Sequence, residues 1–247
     1  MMVKTQTLFG LSITDCSLKT MVEVIDQSIT EKNQVHIVTL NPEMLARQVH
    51  EKSFYRVLQR AEFCIADGNG LIWASGFLGK KIEHRIPGID LLEALFQETG
   101  RKPWSFYFLG SRQEVVEHLA EIIPKQFPHL RIAGTHDGFF TDDQVICDQI
   151  NQSHPDIVLV GLGSPKQEYW IDKNRSRLSS FVFMGVGGSF DVLSGVKKRA
   201  PLFLRKIRLE WAYRVFSEPS RFRRIIPAFW TFGIMVWKEK RLRNPKK

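Results

Sequence analysis
Asp67 stands in the run Ala66-Asp67-Gly68-Asn69-Gly70, between the apolar stretches Phe63-Cys64-Ile65 and Leu71-Ile72-Trp73-Ala74. Such a carboxylate has two uses. It can bond nearby backbone N–H groups in a tight turn, for which Asp-Gly and Asn-Gly are strong signals because Gly and Asn accept positive φ. It can equally face a substrate and take a proton from it. The pentapeptide leaves both open. Gly161-x-Gly163 and Gly185-x-Gly187 begin like a dinucleotide fingerprint, but Lys166 and Phe190 stand at the sixth positions, where close helix packing requires Gly, so a nicotinamide site is disfavoured. No Gly-x-x-x-x-Gly-Lys-Ser/Thr cradle and no His-Glu-x-x-His occurs, and the seven histidines are scattered. No Asp-x-Asp pair is available to hold a divalent ion against a sugar diphosphate. If the chain handles diphosphates, something other than such a metal pair must supply the positive charge.

The elements that would position these residues alternate along the chain. Apolar runs at 35–40, 63–66, 104–110, 130–135, 156–163 and 181–188 read as strands. Segments of helical periodicity lie between them, such as Leu91, Leu92, Leu95 and Phe96, then Val115, Val116, Leu119, Ile122 and Ile123. This alternation predicts an α/β, Rossmann-like, largely parallel sheet with flanking helices. Several runs are continuously apolar, as in strands covered on both faces. Ligands of such sheets bind outside the carboxyl ends of the strands. That rule gathers Thr39, Asn41, Asp67, Gly110, the loop from Gly161 to Gln167 and the loop from Gly185 to Asp191 along one edge. No internal repeat or low-complexity linker interrupts the pattern.

Charge divides the chain more sharply than composition does. Residues 1–196 hold 19 Lys and Arg against 23 Asp and Glu, whereas residues 197–247 hold 16 against 3, giving −4 and +13. We expect a catalytic domain over 1–196 and a basic, amphipathic helical appendage over 197–247. Such a tail suits nucleic acid, an anionic membrane or a phosphorylated substrate, or is simply solvated. Within it, Leu204, Ile207, Trp211 and Val215 recur at helical spacing up to Pro219. The next apolar stretch, Ile225 to Trp237, is 13 residues long, short of the ~20 needed to span a bilayer. It is expected to lie on a membrane through Phe229, Trp230 and Trp237; a helix packed on the domain is the alternative. Cys16, Cys64 and Cys147 form no Cys-x-x-Cys pair, and the first residues carry no signal-peptide pattern, so a reducing cytoplasm is expected.

In chain order, the motifs are TLNPEM (39–44), ADGNGLIWAS (66–75), HRIPGIDLLEAL (84–95), VGLGSPKQEYWI (160–171), GVGGSFDVLSGVKKRAP (185–201) and LEWAYRVFSEPSRFRR (209–224). Together they resemble the WecG/TagA/CpsF family of bacterial glycosyltransferases over residues 36–224. The resemblance implies inverting, metal-independent transfer of a sugar, of the N-acetylmannosamine type, from a UDP-sugar to a polyprenyl-diphosphate-linked GlcNAc. It places the protein peripherally on the cytoplasmic face of the cell membrane, in teichoic acid or surface polysaccharide synthesis. It further implies that Asp67 is the general base and that Thr39, Asn41, Arg85 and Gln167 line its pocket. For the UDP diphosphate it implies Arg214, Arg221 and Arg224 as the neutralising cations. Gly110, Gly161, Gly163, Gly187 and Gly188 would admit the nucleotide diphosphate to the backbone or merely make tight turns. Asp191 would bond ribose or uracil, or cap a helix. No cofactor, metal or nucleic-acid partner is implied, and the oligomeric state stays open, a homo-oligomer included. A nucleic-acid-binding protein using the tail, and a non-catalytic nucleotide-binding module, are the competing readings.

Overall fold
The computed structural model describes residues 3–206, 210–217 and 222–243. Its strands are β1 (Lys4–Leu8), β2 (Leu11–Asp15), β3 (Val35–Leu40), β4 (Phe63–Ala66), β5 (Ser105–Gly110), β6 (Arg131–His136), β7 (Ile157–Gly161) and β8 (Val182–Gly185). The helices are α1 (Leu18–Thr30), α2 (Pro42–His50), α3 (Lys52–Arg60), α4 (Asn69–Phe77), α5 (Gly88–Glu98), α6 (Gln113–Gln126), α7 (Asp143–Ser153), α8 (Lys166–Asn174), α9 (Ser189–Leu193), α10 (Leu202–Lys206), α11 (Glu210–Ser217) and α12 (Phe222–Arg243). The strands form one sheet in the order β1-β2-β4-β3-β8-β7-β5-β6. Every neighbouring pair is parallel except β1 with β2.

The six apolar runs become strands for the expected reason. Alternate residues feed cores on opposite faces: Ile37, Phe108, Leu159 and Met184 enter one, packed with α1, α5 and α6. Val38 joins a second core, and Tyr107, Val158 and Phe183 a third, on the other face. Both faces are therefore dry along β3, β4, β5, β7 and β8, so these strands need no polar alternation, whereas the edge strand β6 is partly exposed along its length. Leu91, Leu92, Leu95 and Phe96 of α5 and Val115, Val116, Leu119 and Ile123 of α6 are buried, as their spacing predicts.

The β1–β2 hairpin is an addition to the sequence reading, which has no strand before residue 35. Its two-residue turn puts both Phe9 (φ 54°) and Gly10 (φ 75°) in the left-handed region. This is the hairpin geometry usually announced by Asn-Gly or Asp-Gly, and Phe at the first position hides the signal.

Described residues after 196 are fastened to the body at Lys197, Arg199 and α12. Lys197 pairs with Asp191 at 2.8 Å, and Arg199 pairs with Asp90 and, at 3.1 Å, with Glu93. Helix α12 packs against α2 and buries Phe232 and Val236 in the core formed by Leu40, Met44, Leu45 and Leu71. Its outer side leaves Ile226, Trp230, Ile234 and Trp237 exposed. Packing on the domain and exposure of an aromatic stripe thus coexist on one helix. The periodicity expected from Leu204 to Val215 falls on two helices, α10 and α11, while Ile207 and Pro219 lie outside the described residues. Among the described residues no helix is long and apolar enough to cross a membrane.

Candidate active site
The strand order sets β4, β3, β8 and β7 side by side, so the segments leaving their carboxyl ends meet. They enclose a cavity of about 610 Å³ lined by Thr39, Asn41, Asp67, Arg85, Gly163, Gln167, Gly187 and Gly188. Gly110, Gly161 and Asp191 do not line it.

Asp67 follows β4 directly and precedes α4, with its backbone N–H donating to Leu40 O of β3 at 3.0 Å. The positive φ that Asp-Gly and Asn-Gly permit is not used here. Gly68 has φ −91°, and neither Gly68 nor Gly70 has positive φ. These glycines serve close approach instead: a Cβ on Gly68 would lie 2.9 Å from Pro42 Cδ, and one on Gly70 2.8 Å from Pro42 Cγ. The N-terminus of α4 is thereby pressed against that of α2, with Asp67 beside the junction.

Arg85 lies on the segment between α4 and α5, which is sewn to two strand ends. Asp15 Oδ1 at the end of β2 accepts from the backbone N–H groups of Glu83 and His84 at 3.1 Å each, and contacts His84 Nδ1 at 3.0 Å. Ile86 N–H donates to Ala66 O at 2.9 Å. Arg85 sits between these fastenings and has no ion-pair or hydrogen-bond partner among the described residues.

The other polar candidates also do structural work. Asn41 caps α2, its side chain accepting from Met44 N–H at 3.1 Å. Thr39 Oγ1 donates to Gly185 O at 3.4 Å, joining β3 to β8. Gln167 is buried: its Oε1 accepts from Gly187 N–H at 2.9 Å, and its Nε2 donates to Glu168 Oε1 at 2.7 Å. Burial pushes the Glu168 carboxyl above its ordinary range, although the Gln167 and Ser164 hydrogen bonds act the other way. The Gly187 turn, at φ 52°, is thus locked from behind by Gln167.

A second recess, about 500 Å³, adjoins the first across the β7–α8 and β8–α9 segments. Ser111, Arg112, Phe139, Gly161, Lys166, Trp170 and Asp191 line it. Asp191 lies in the first turn of α9, with its carboxylate bonded to Ser111 Oγ and Lys197 Nζ at 2.8 Å each. Burial raises its pKa, but these bonds outweigh burial and hold it below the usual carboxylate range. Gly110 lines neither recess. A Cβ there would meet the Gly161 backbone carbon at 2.5 Å, so this glycine serves the approach of β5 to β7.

Of the three C-terminal arginines, Arg224 lines the main cavity and pairs with Glu43 at 2.8 Å. The Arg214 side chain and all of Arg221 lie outside the described residues. Sequence reasoning missed Arg47, Trp73 and Trp211 in the lining. Arg47 is four residues past Glu43 on α2, and that helical spacing was its available signal. Among the described residues no three His, Cys, Asp or Glu side chains form a metal-holding group. The three cysteines are free and buried, with burial pushing the Cys16 and Cys64 thiols up to about 11 and about 12, so neither is a ready nucleophile.

A cavity at the carboxyl edge of a parallel sheet, with a carboxylate and several arginines, suits transfer between an anionic donor and a hydroxyl. Comparison with known proteins narrows this. Residues 6–246 match the model of the glycosyl transferase WecG/TagA/CpsF family. An N-acetylglucosaminyldiphosphoundecaprenol N-acetyl-beta-D-mannosaminyltransferase of Bacillus spizizenii is 36% identical over 225 residues, covering 91% of this chain and 88% of the relative. The protein of the same description from Staphylococcus aureus is 33% identical over 226 residues, covering 90% and 89%. With a match running almost from end to end, the chain belongs to the glycosyl transferase WecG/TagA/CpsF family.

Proposed function
We propose that this glycosyltransferase moves an N-acetylmannosamine-type sugar from a UDP-sugar to a polyprenyl-diphosphate-linked GlcNAc, with inversion and without a metal. The observation that carries the reading is the meeting of Asp67 and Arg85 in one cavity, on segments joined through adjacent residues: Asp67 follows Ala66, whose carbonyl holds Ile86 next to Arg85. The relatives' names, which specify a beta-mannosaminyl product and a diphosphoundecaprenol acceptor, support the substrate class.

Asp67 takes the proton of the acceptor hydroxyl as that oxygen bonds to the anomeric carbon. The bond from that carbon to the donor phosphate breaks, and UDP leaves with the electron pair. Attack opposite the leaving group turns an α-linked donor into a β-linked product in a single displacement. Arg85, Arg47 and Arg224 supply positive charge in the cavity where the diphosphate departs, since guanidinium pairs well with phosphate oxygens. Thr39, Asn41 and Gln167 hold the pocket's shape. The second recess, with Asp191, Ser111, Phe139 and Lys166, takes the nucleoside end of the donor. Arg214 and Arg221 complete the cation set, and residues 197–247 act as an appendage that closes the site and rests on the cytoplasmic membrane face through Trp230 and Trp237.

The test is to incubate the protein with individual UDP-sugars and a short-chain GlcNAc-diphospholipid, then measure released UDP and the anomeric configuration of the product. UDP release with a β-linked N-acetylmannosamine product is expected, unchanged by EDTA. No release with any donor, an α-linked product, or loss on chelation restored by manganese would each overturn part of the reading.

A further inference from the structure
The lining of the main cavity combines half-buried polar side chains with exposed aromatic ones. Thr39, Asp67 and Arg85 supply polar groups, whereas three aromatic side chains in the lining come from three different helices: Trp73 of α4, Trp211 of α11 and Phe229 of α12. All three are exposed, by 59%, 49% and 39%. Trp211 and Phe229 lean on one another with ring centroids 5.6 Å apart. Trp73 stacks on Phe77, one turn further along α4, with centroids 5.5 Å and planes 12° apart. Phe77 is itself 45% exposed, so the stacked pair carries an aromatic surface from the cavity along the outside of α4. At its outer end Lys240 of α12 sets its ammonium 5.0 Å from the Phe77 ring centroid and donates to Phe77 O at 2.7 Å. The cation caps the end of α4 and fastens this surface to α12.

Leaving several large aromatic rings partly in water is unfavourable relative to burying them. The arrangement is also distinct from the outer stripe of α12: Trp230 is 74% exposed but does not line the cavity, whereas Trp73 and Phe229 do.

We propose that Trp73, Phe77, Trp211 and Phe229 form a subsite for an isoprenoid chain, occupied by the acceptor's first isoprene units next to its diphosphate. The inference rests on the reading of the acceptor as a polyprenyl-diphosphate sugar, and it deepens that reading. Such a molecule is polar at the sugar and diphosphate and apolar immediately beyond them. The cavity offers both in one lining, half-buried polar groups at Asp67 and Arg85 and exposed aromatic rings at Trp73, Trp211 and Phe229. Flat, rigid ring faces suit flat, methyl-branched alkene units, because both sides lose little conformational freedom on contact. The subsite makes the enzyme select its lipid carrier directly, through contacts at the reaction cavity as well as through residence on a membrane.

The experiment compares two acceptors with the same GlcNAc-diphosphate head, one carrying a methyl group and one a farnesyl chain, both below micellar concentration and without membranes. In the wild type the farnesyl acceptor should have kcat/KM higher by about tenfold or more, from the apolar area that it buries. Trp73→Ala and Phe77→Ala should collapse that ratio to about threefold or less, chiefly through KM. Trp73→Tyr, which keeps a flat ring, should restore most of it. Trp230→Ala, outside the cavity, should keep the wild-type ratio. Equal losses on both acceptors, or an undiminished ratio in Trp73→Ala, would overturn the subsite alone. Absence of turnover by the wild type on either acceptor would overturn the parent reading and the subsite with it.

Discussion

At the scale of single residues, the cavity's chemistry depends on groups whose surroundings leave them little freedom. Asp67 is anchored through its backbone to β3 and through its neighbour to the Arg85 segment. Asp67→Asn preserves shape and removes the basic oxygen, so transfer should fall ~100-fold or more while UDP affinity stays near that of the wild type. Retention of a tenth of wild-type turnover would refute the role. Asp15 acts one step behind. Its side chain is 1% exposed, and a single oxygen gathers Glu83 and His84 immediately before Arg85. Burial pushes its carboxyl up, but the His84 and Glu83 hydrogen bonds outweigh this and hold it below the ordinary range. Asp15→Ala should orphan those donors, cost about 2 kcal/mol of stability and slow transfer. Asp15→Asn, with one acceptor oxygen left, should retain most of the turnover. Equal turnover in Asp15→Ala and the wild type would show that Arg85 is held without it.

At the scale of elements, α4 carries the cavity's most specific packing. Alanine usually stabilises a helix by ~1 kcal/mol relative to glycine. Space decides whether that gain survives. A Cβ at Gly70 meets the Pro42 ring at 2.8 Å, while one at Gly76, on the same helix, meets nothing within 4 Å. The Pro42 ring cannot swing away as a flexible side chain would, so α2 itself must move. Gly70→Ala should therefore destabilise the protein by about 1–3 kcal/mol, the usual cost of overpacking, and reduce transfer by shifting Asp67. Gly76→Ala should instead be neutral or stabilising by up to ~1 kcal/mol. Urea midpoints for the two variants check this, and equal midpoints would contradict the packing account. Helix α12 shows the same division of labour: Phe232 and Val236 seal one side into the core, leaving Trp230 and Trp237 outward.

For the molecule as a whole, pH acts through a group far from any substrate role. His36 of β3 is fully buried, and its Nε2 has no partner among the described residues. Burial, and next the Arg175 cation, push its pKa from the ordinary 6.5 down to about 3. The folded chain thus refuses a proton that the unfolded chain accepts. Its contribution is fully present above 6.5 and is lost progressively as pH falls towards 3. Across that window it should weaken the fold by up to about 1.4 kcal/mol per pH unit. Thermal melts of the wild type and His36→Leu at about pH 7.5 and about pH 5 measure it, and the variant's loss between the two should be distinctly smaller. Parallel losses would assign the acid sensitivity to other groups.

The amino-acid sequence by itself determined the class of fold and the neighbourhood of the site. Continuous apolar runs and 3.6-residue periodicity are local properties, so the dry strands β3, β4, β5, β7 and β8, the partly exposed edge strand β6, and helices α5 and α6 were legible. The motif run from Thr39 to Arg224 likewise carried the family resemblance that the end-to-end match bears out. The β1–β2 hairpin was hidden by Phe9 in a position that usually favours Asn or Gly. The roles of individual loop residues were hidden for a different reason. Gly68 and Gly70 look like turn formers and are contact surfaces for Pro42; Asn41 caps α2, Gln167 braces Gly187, and Gly110 meets Gly161. Apart from the Asn41 cap, each of those facts depends on what lies opposite, 20 to 51 residues away in the chain. The order β4-β3-β8-β7 brings Asp67, Arg85, Trp73 and Trp211 around one cavity while setting Asp191 in another. Local pattern could decide that strands and loops exist; only the packing of the sheet, through contacts between distant segments, decided which loops share a cavity.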